Sequence, residues 1–232
     1  MRHGENLGYK DLTLNEKEER FSSNTIKRMI EYDLQRMAEQ FSPNMERAIS
    51  LSGPAVGDHQ FILANYKNVI FPEIDKHAWS LMLKSLRGNN KVFKTYSVIS
   101  YRNSNRKNQY SDEGSSLPNR TELRFANFFD IYHETEEFGL VDFDGIERPN
   151  QILLDNILSI VNTNKAKDIW VLRLAVCLRG NLYDPTAFIK HISNAIGKRA
   201  TILDLYKRSY CETHMERNQK GAPMLTIQWV IK

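Results

Sequence analysis

The segment over residues 76–111 has the residue types that most clearly fit a chemical role. It contains eight Lys or Arg residues and no Asp or Glu. Lys and Arg contact the phosphates of nucleic acids, and the Phe and Tyr residues between them can stack on unpaired bases. A second basic group begins at Lys198. The residues expected to bind nucleic acid are Lys91, Lys94, Tyr101, Arg102, Arg106, Lys107, Tyr110, Lys198 and Arg199. The alternative is that these residues are solvated surface. Composition leaves the two interpretations level for the segment over residues 76–111, and it favours a solvated, mixed-charge surface for the second group.

The segment over residues 127–147 has the opposite charge, with seven Asp or Glu and no Lys or Arg. Carboxylates are the usual ligands of Mg²⁺ and Mn²⁺, which can catalyse phosphodiester cleavage. The spacing of these acids matches no metal-binding motif, so we expect no metal ligands, no catalytic residues and no cofactor. The segment could instead be the electrostatic partner of the basic one, within the chain or on a second copy.

Composition limits the class of protein. The 232 residues are 41% hydrophobic and 26% charged, with a net charge of +4, as in ordinary globular proteins. No apolar run is long enough to cross a bilayer, and the first twenty residues are too polar for a signal peptide. The presence of only two cysteines favours a reducing compartment. We therefore expect a cytoplasmic or virion-associated protein without a transmembrane segment.

The elements that must position these charges follow from periodicity and from helix-breaking residues. Apolar residues at helical spacing predict an amphipathic helix between Asn24 and Pro43, and Asp184-Pro185 predicts the start of another. Residues 169–178 form the most apolar run and predict a central strand. Strands and helices without a regular alternation predict an α+β fold. We expect an N-terminal tail and amphipathic helical arm at residues 1–50, and an α+β main domain at residues 51–232 with a long basic loop at residues 102–120.

These patterns favour a non-enzymatic, nucleic-acid-binding structural protein. A basic surface would supply affinity for nucleic acid, RNA rather than DNA by a small margin, and the helical arm would supply self-association into a homo-oligomer. Viral nucleocapsid, matrix and movement proteins combine nucleic-acid binding with self-association in this way. Two alternatives remain at this stage: a metal-dependent phosphodiester enzyme that uses the acidic segment 130–147, and an adaptor that binds another protein through the basic loop.

Overall fold

A computed structural model describes residues 25–51, 60–88, 96–101, 109–111, 119–124, 127–128, 137–144, 150–164, 166–178, 184–212 and 222–232. The helices are α1 (Thr25–Phe41), α2 (Gln60–Asn65), α3 (Lys76–Gly88), α4 (Gln151–Thr163) and α5 (Pro185–Gly197). The strands are β1 (Arg47–Leu51), β2 (Asn68–Pro72), β3 (Tyr96–Tyr101), β4 (Gln109–Ser111), β5 (Asn119–Arg124), β6 (Leu140–Asp144), β7 (Trp170–Cys177), β8 (Ile202–Glu212) and β9 (Ala222–Ile231).

The described strands form one nine-stranded sheet in the order β4-β3-β5-β2-β1-β6-β7-β9-β8. The six strands from β3 to β7 in this order are parallel. Strand β9 runs antiparallel between β7 and β8, and β4 runs antiparallel on the outer side of β3. The predicted mixture of helices and strands is confirmed at this coarse level. The parallel, helix-covered sheet is nevertheless an α/β arrangement, more regular than the α+β body predicted from the sequence.

Helices cover both faces of the sheet, because the central strands are apolar on both sides. One face packs against α4 and α5 through residues such as Leu153, Ile157 and Ile192. The other face packs against α1, α2 and α3 through residues such as Met37 and Met82. Parallel strands buried on both faces are near-continuous apolar runs, as β7 is in this sequence. A polar residue inside such a strand therefore needs a partner within the protein.

Local capping explains where two of the helices begin. Asn150 lies just before α4, and its Oδ1 accepts a hydrogen bond of 2.8 Å from the backbone N–H of Leu153. Asp184 does the same for α5, at 2.9 Å from the N–H of Thr186, and Pro185 occupies the first turn. These bonds satisfy amides that have no partner within the helix. The predicted start of α5 is confirmed.

The N-terminal helix packs on the sheet of its own chain. Leu34 and Met37 of α1 are buried in the same apolar cluster as Val230 of β9. The expected boundary after residue 50 falls inside β1, which lies between β2 and β6. The division into an arm and a main domain stays a prediction, and residues 1–24 of the expected tail lie outside the described residues.

The predicted basic loop at residues 102–120 is only partly described. Its described part contains a strand, β4, which pairs with β3, and its last two residues already belong to β5. Residues 102–108 and 112–118 lie outside the described residues. Among the residues that the structure does describe, no helix is long and apolar enough to span a bilayer.

Candidate functional site at the carboxyl ends of the parallel strands

The order of the strands marks one position where a ligand can enter. Strand β2 follows β1 in the chain and lies on one side of it, and β6 comes later in the chain and lies on the other side. Helices on opposite faces diverge at such a point, and open parallel sheets bind ligands there, beyond the carboxyl ends of the strands. Leu51 and Phe143 are paired at this end of β1 and β6. The candidate site therefore lies beyond these two residues.

A carboxylate follows the neighbouring strand β2 at the same edge. The backbone N–H of Glu73 donates to the carbonyl of Arg124 at 2.9 Å, which keeps Glu73 in line with the end of β5. Its own Oε1 accepts a 2.7 Å hydrogen bond from the N–H of Asp75. Burial raises the pKa of Glu73, and the backbone hydrogen bonds from Asp75 and Ile74 partly oppose that effect. The result is a fixed, half-buried hydrogen-bond acceptor beside the candidate site.

A row of polar residues crosses the sheet at one register position. Ser50, Asp142, Arg173 and Gln228 are successive partners on β1, β6, β7 and β9, and all four are buried. Asp142 accepts two hydrogen bonds from Arg173, of 2.6 Å at Oδ1 and 2.5 Å at Oδ2. Its Oδ2 also accepts from the Ser50 hydroxyl at 2.6 Å. Charge-assisted, bidentate pairs of this kind are strong and geometrically specific.

Helix α1 adds a second carboxylate to this row. Oε1 of Glu31 accepts a 3.0 Å hydrogen bond from Nη1 of Arg173. Burial raises the pKa of Glu31, and Asp142 adds to the increase, whereas Arg173 opposes it. Burial also raises the pKa of Tyr66. The charge of Arg173 lowers this pKa and that of Asp142 raises it, so the phenol lies near both groups. We call Ser50, Asp142, Arg173, Gln228 and Glu31 the buried polar row.

The structure describes four of the residues predicted to bind nucleic acid, and these lie in two separate places. Tyr101 ends β3, and Tyr110 lies in β4 opposite Ser100. Lys198 and Arg199 are exposed after α5, just before Thr201, which pairs with Lys232 beside the amino end of β7. Strands β4 and β8 are the two edges of the sheet, so eight strand spacings of about 4.8 Å, roughly 38 Å, lie between these two strands. Binding of nucleic acid by the nine predicted residues stays a prediction. The predicted residues Lys91, Lys94, Arg102, Arg106 and Lys107 lie outside the described residues.

The acidic segment does not assemble a metal site in the part of it that is described. Asp142 is buried and paired with Arg173, and Glu137 is exposed at the other end of β6. Within the described ranges no three His, Cys, Asp or Glu side chains converge in a way that could hold a metal ion. Asp142 thus pairs with Arg173, whereas the alternative hypothesis of a metal-dependent enzyme would use it as a metal ligand.

Sequence reasoning missed Arg173 and Glu31, although one signal was available. Arg173 is the one charged residue in the most apolar run of the chain, at residues 169–178. A buried guanidinium requires a buried carboxylate, and Asp142 in the apolar sequence LVDF is the matching candidate. Glu31 carried no such signal, because the polar face of α1 has many charges.

Comparison with known proteins identifies the fold. No protein-family model matches the chain, and no curated protein matches it. A SAM-dependent methyltransferase from Leishmania major matches with a TM-score of 0.52 at 8% identity, over 94% of this chain and 82% of the other. Trm5b from Pyrococcus abyssi matches with a TM-score of 0.50 at 11% identity, over 88% of this chain and 48% of the other. The N-methyltransferase NodS from Bradyrhizobium japonicum has a TM-score of 0.49 at 8% identity, over 90% of this chain and 98% of the other.

The prediction of a non-enzymatic structural protein is wrong. The chain shares its fold with an enzyme named as a SAM-dependent methyltransferase and with Trm5b, and neither is named as a viral or self-assembling structural protein. The sequence-based hypothesis failed because charge segregation reports on a surface and not on the topology beneath it. What the similarity shows at these identities is the fold, a mixed α/β sheet of the methyltransferase type.

Proposed function

We propose that the chain is a methyltransferase that uses S-adenosylmethionine and binds it beyond the carboxyl ends of β1, β2 and β6. The observation that carries the proposal is the change in the direction of strand order between β1 and β6. The carboxylate of Glu73, which directly follows β2 in the chain, is held at the same edge by a hydrogen bond. The fold shared with a SAM-dependent methyltransferase supports the choice of cofactor.

The acceptor groups at this edge suit the nucleoside end of such a cofactor. The carboxylate of Glu73 can accept hydrogen bonds from vicinal hydroxyl groups of a ribose, as an acidic residue does in other nucleotide-binding α/β sheets. Its interactions with the N–H groups of Asp75 and Ile74 hold it in place. When bound, S-adenosylmethionine supplies an electrophilic methyl group on a sulfonium. The chain must then orient the cofactor and exclude water, which the parallel strand ends and their covering helices can do.

The acceptor of the methyl group is proposed to be RNA. Tyr101 is aligned with Arg124 at the carboxyl end of β3, and Arg124 is aligned with Pro72, directly before Glu73. Tyr101 and Gln109 pair with each other, and the sequence between them carries Arg102, Arg106 and Lys107. The basic segment is thus tethered at the edge where the cofactor is proposed to bind. Phosphate contacts from these cations would bring RNA towards that edge.

The test is direct binding of S-adenosylhomocysteine, measured by calorimetry. We expect Glu73→Gln to weaken binding by about 10- to 100-fold, because hydrogen bonds to a charged group contribute about 1.5–3 kcal/mol. The matched control is Glu46→Gln, since Glu46 is an exposed carboxylate at the amino end of β1, paired with Lys67. Transfer of a tritiated methyl group from S-adenosylmethionine to RNA, with protein as the comparison acceptor, tests the activity. Absence of S-adenosylhomocysteine binding to the unaltered chain would refute the proposal.

A further inference from the structure

We infer that Glu31, together with Gln228, binds the α-ammonium group in the methionine part of the cofactor. This inference rests on the proposed function and adds residues from α1 and β9 to the same site. It starts from two buried oxygen atoms in the buried polar row that lack a hydrogen-bond donor.

The two oxygens are Oε2 of Glu31 and Oε1 of Gln228. The orientation of the Gln228 amide is set by its Nε2, which donates to the carbonyl of Ile30 at 3.3 Å. The Phe61 amide lies near the Glu31 carboxylate and lowers its pKa slightly, yet Oε2 accepts no hydrogen bond of normal geometry. A buried acceptor without a donor costs about 1–3 kcal/mol. Two of them on adjacent elements indicate a place for a ligand with several N–H groups.

The five residues of the buried polar row do not balance in charge. Asp142 and Glu31 are two carboxylates, and Arg173 is the one guanidinium among the five. Asp142 takes two of the guanidinium nitrogens and Glu31 takes one. The nearby Asp33–Arg208 pair balances its own charge. With Glu31 ionised, the row carries one excess negative charge, which a proton or a cationic ligand group can neutralise.

The position of Glu31 matches the edge at which the cofactor is proposed to bind. Ile30 packs against Met224 and Cys177, at the carboxyl end of β7, whereas Asn44 beyond the other end of α1 donates to Ile169 before the amino end of β7. Glu31 is therefore near the carboxyl edge. Its side chain is 17% exposed and that of Asp142 is 0% exposed, so Glu31 forms the outer end of the row.

An ammonium group satisfies the chemistry of this position. It carries one positive charge and three N–H donors, enough for both oxygens. In the free protein, burial favours the protonated form of the Glu31 carboxyl. Any proton that this carboxyl holds in the free protein is released to solvent when the ammonium binds, and the ammonium keeps its own three protons. Cofactor binding is then coupled to the release of a proton.

The experiment compares two ligands that differ in the methionine part. S-adenosylhomocysteine has the α-ammonium group, and 5′-methylthioadenosine has the nucleoside without it. We expect Glu31→Gln to weaken S-adenosylhomocysteine by about 10- to 100-fold and to leave 5′-methylthioadenosine within about twofold. Calorimetry in buffers of different ionisation enthalpy should show proton release for the unaltered chain and none for Glu31→Gln. Glu39→Gln, on the same helix and exposed, is the control.

The possible results separate this inference from the proposed function. Equal loss of both ligands in Glu31→Gln would mean that Glu31 acts through the fold, and would overturn the inference. Unchanged binding of both ligands would overturn it while leaving the cofactor site intact. If the unaltered chain binds neither ligand, the proposed function fails and the inference fails with it. Gln is isosteric with Glu and still accepts from Arg173, so the variant should fold, which its circular dichroism can check.

Discussion

Removal of Arg173 should expose how strongly the buried polar row depends on its one guanidinium. In Arg173→Met the apolar stem is retained, but Asp142 loses both hydrogen bonds from the guanidinium, at 2.6 and 2.5 Å. The Asp142 side chain is fully buried, so water cannot replace them. Breaking a buried ion pair by removing one partner costs about 3–5 kcal/mol. We expect a loss of that size in the free energy of unfolding.

Urea denaturation followed by tryptophan fluorescence measures this loss. With an m-value of about 2.5 kcal/mol/M, the midpoint should fall by about 1–2 M. The control is Lys67→Met, which makes the same chemical change in an exposed pair with Glu46. Exposed pairs contribute about 0–1 kcal/mol, so its midpoint should move by no more than about 0.4 M.

A double variant completes the test. Asp142→Leu combined with Arg173→Met removes both members of this pair and should restore at least half of the lost stability, because the fully buried carboxylate of Asp142 is gone and the Glu31 carboxyl, whose pKa is raised by burial, can take up a proton. If Arg173→Met costs no more than Lys67→Met, or if the double variant is no more stable than the single one, the pair is not the buried interaction described here and the reasoning is refuted.

Two further predictions concern packing and RNA. An added Cβ at Gly139 would lie 1.6 Å from a backbone oxygen, so Gly139→Ala should lower the free energy of unfolding by at least about 3 kcal/mol. A Cβ at Gly197 meets nothing within 4 Å, so Gly197→Ala should change the free energy of unfolding by less than about 1 kcal/mol. Equal urea midpoints for the two variants would contradict the packing at Gly139. Arg102→Ala with Arg106→Ala should raise the KM for RNA and lower the salt dependence of RNA binding by about 1.4–1.8 in log–log slope, at about 0.7–0.9 per lost phosphate contact. The control is Lys198→Ala with Arg199→Ala, which removes the same charge directly after α5. It should change neither the KM for RNA nor the salt dependence, and an equal effect of the two double variants would contradict the proposed RNA path.

Local signals in the sequence were sufficient to predict single elements. The 3.6-residue spacing from Ile26 to Phe41 predicted α1, and Asp184-Pro185 predicted the start of α5 because a cap and a proline act within one turn. The apolar run at residues 169–178 predicted β7. Each of these signals depends on interactions between near neighbours, which the sequence presents directly.

The order of the strands could not be predicted in the same way. β1 is only five residues long, contains Ser50, and pairs with β6 more than ninety residues later. Such pairing is decided by packing on both faces, and no local pattern reports it. The buried polar row was missed for the same reason. In the sequence Asp142 is one acid among seven, and only the strand pairing places it opposite Arg173.

The place of β9 has a consequence for the order in which the sheet can be completed. β9 lies between β7 and β8, and its Trp229 and Ile231 belong to the apolar cluster beneath α4 and α5. Until residues 222–231 have left the ribosome, β8 has no strand to join and one long edge of β7 is bare. Such non-local pairing is slow, and bare edges associate with one another. A nascent chain stalled before β9 should therefore depend on chaperones, and a stop codon upstream of residue 222 should leave a product prone to aggregation.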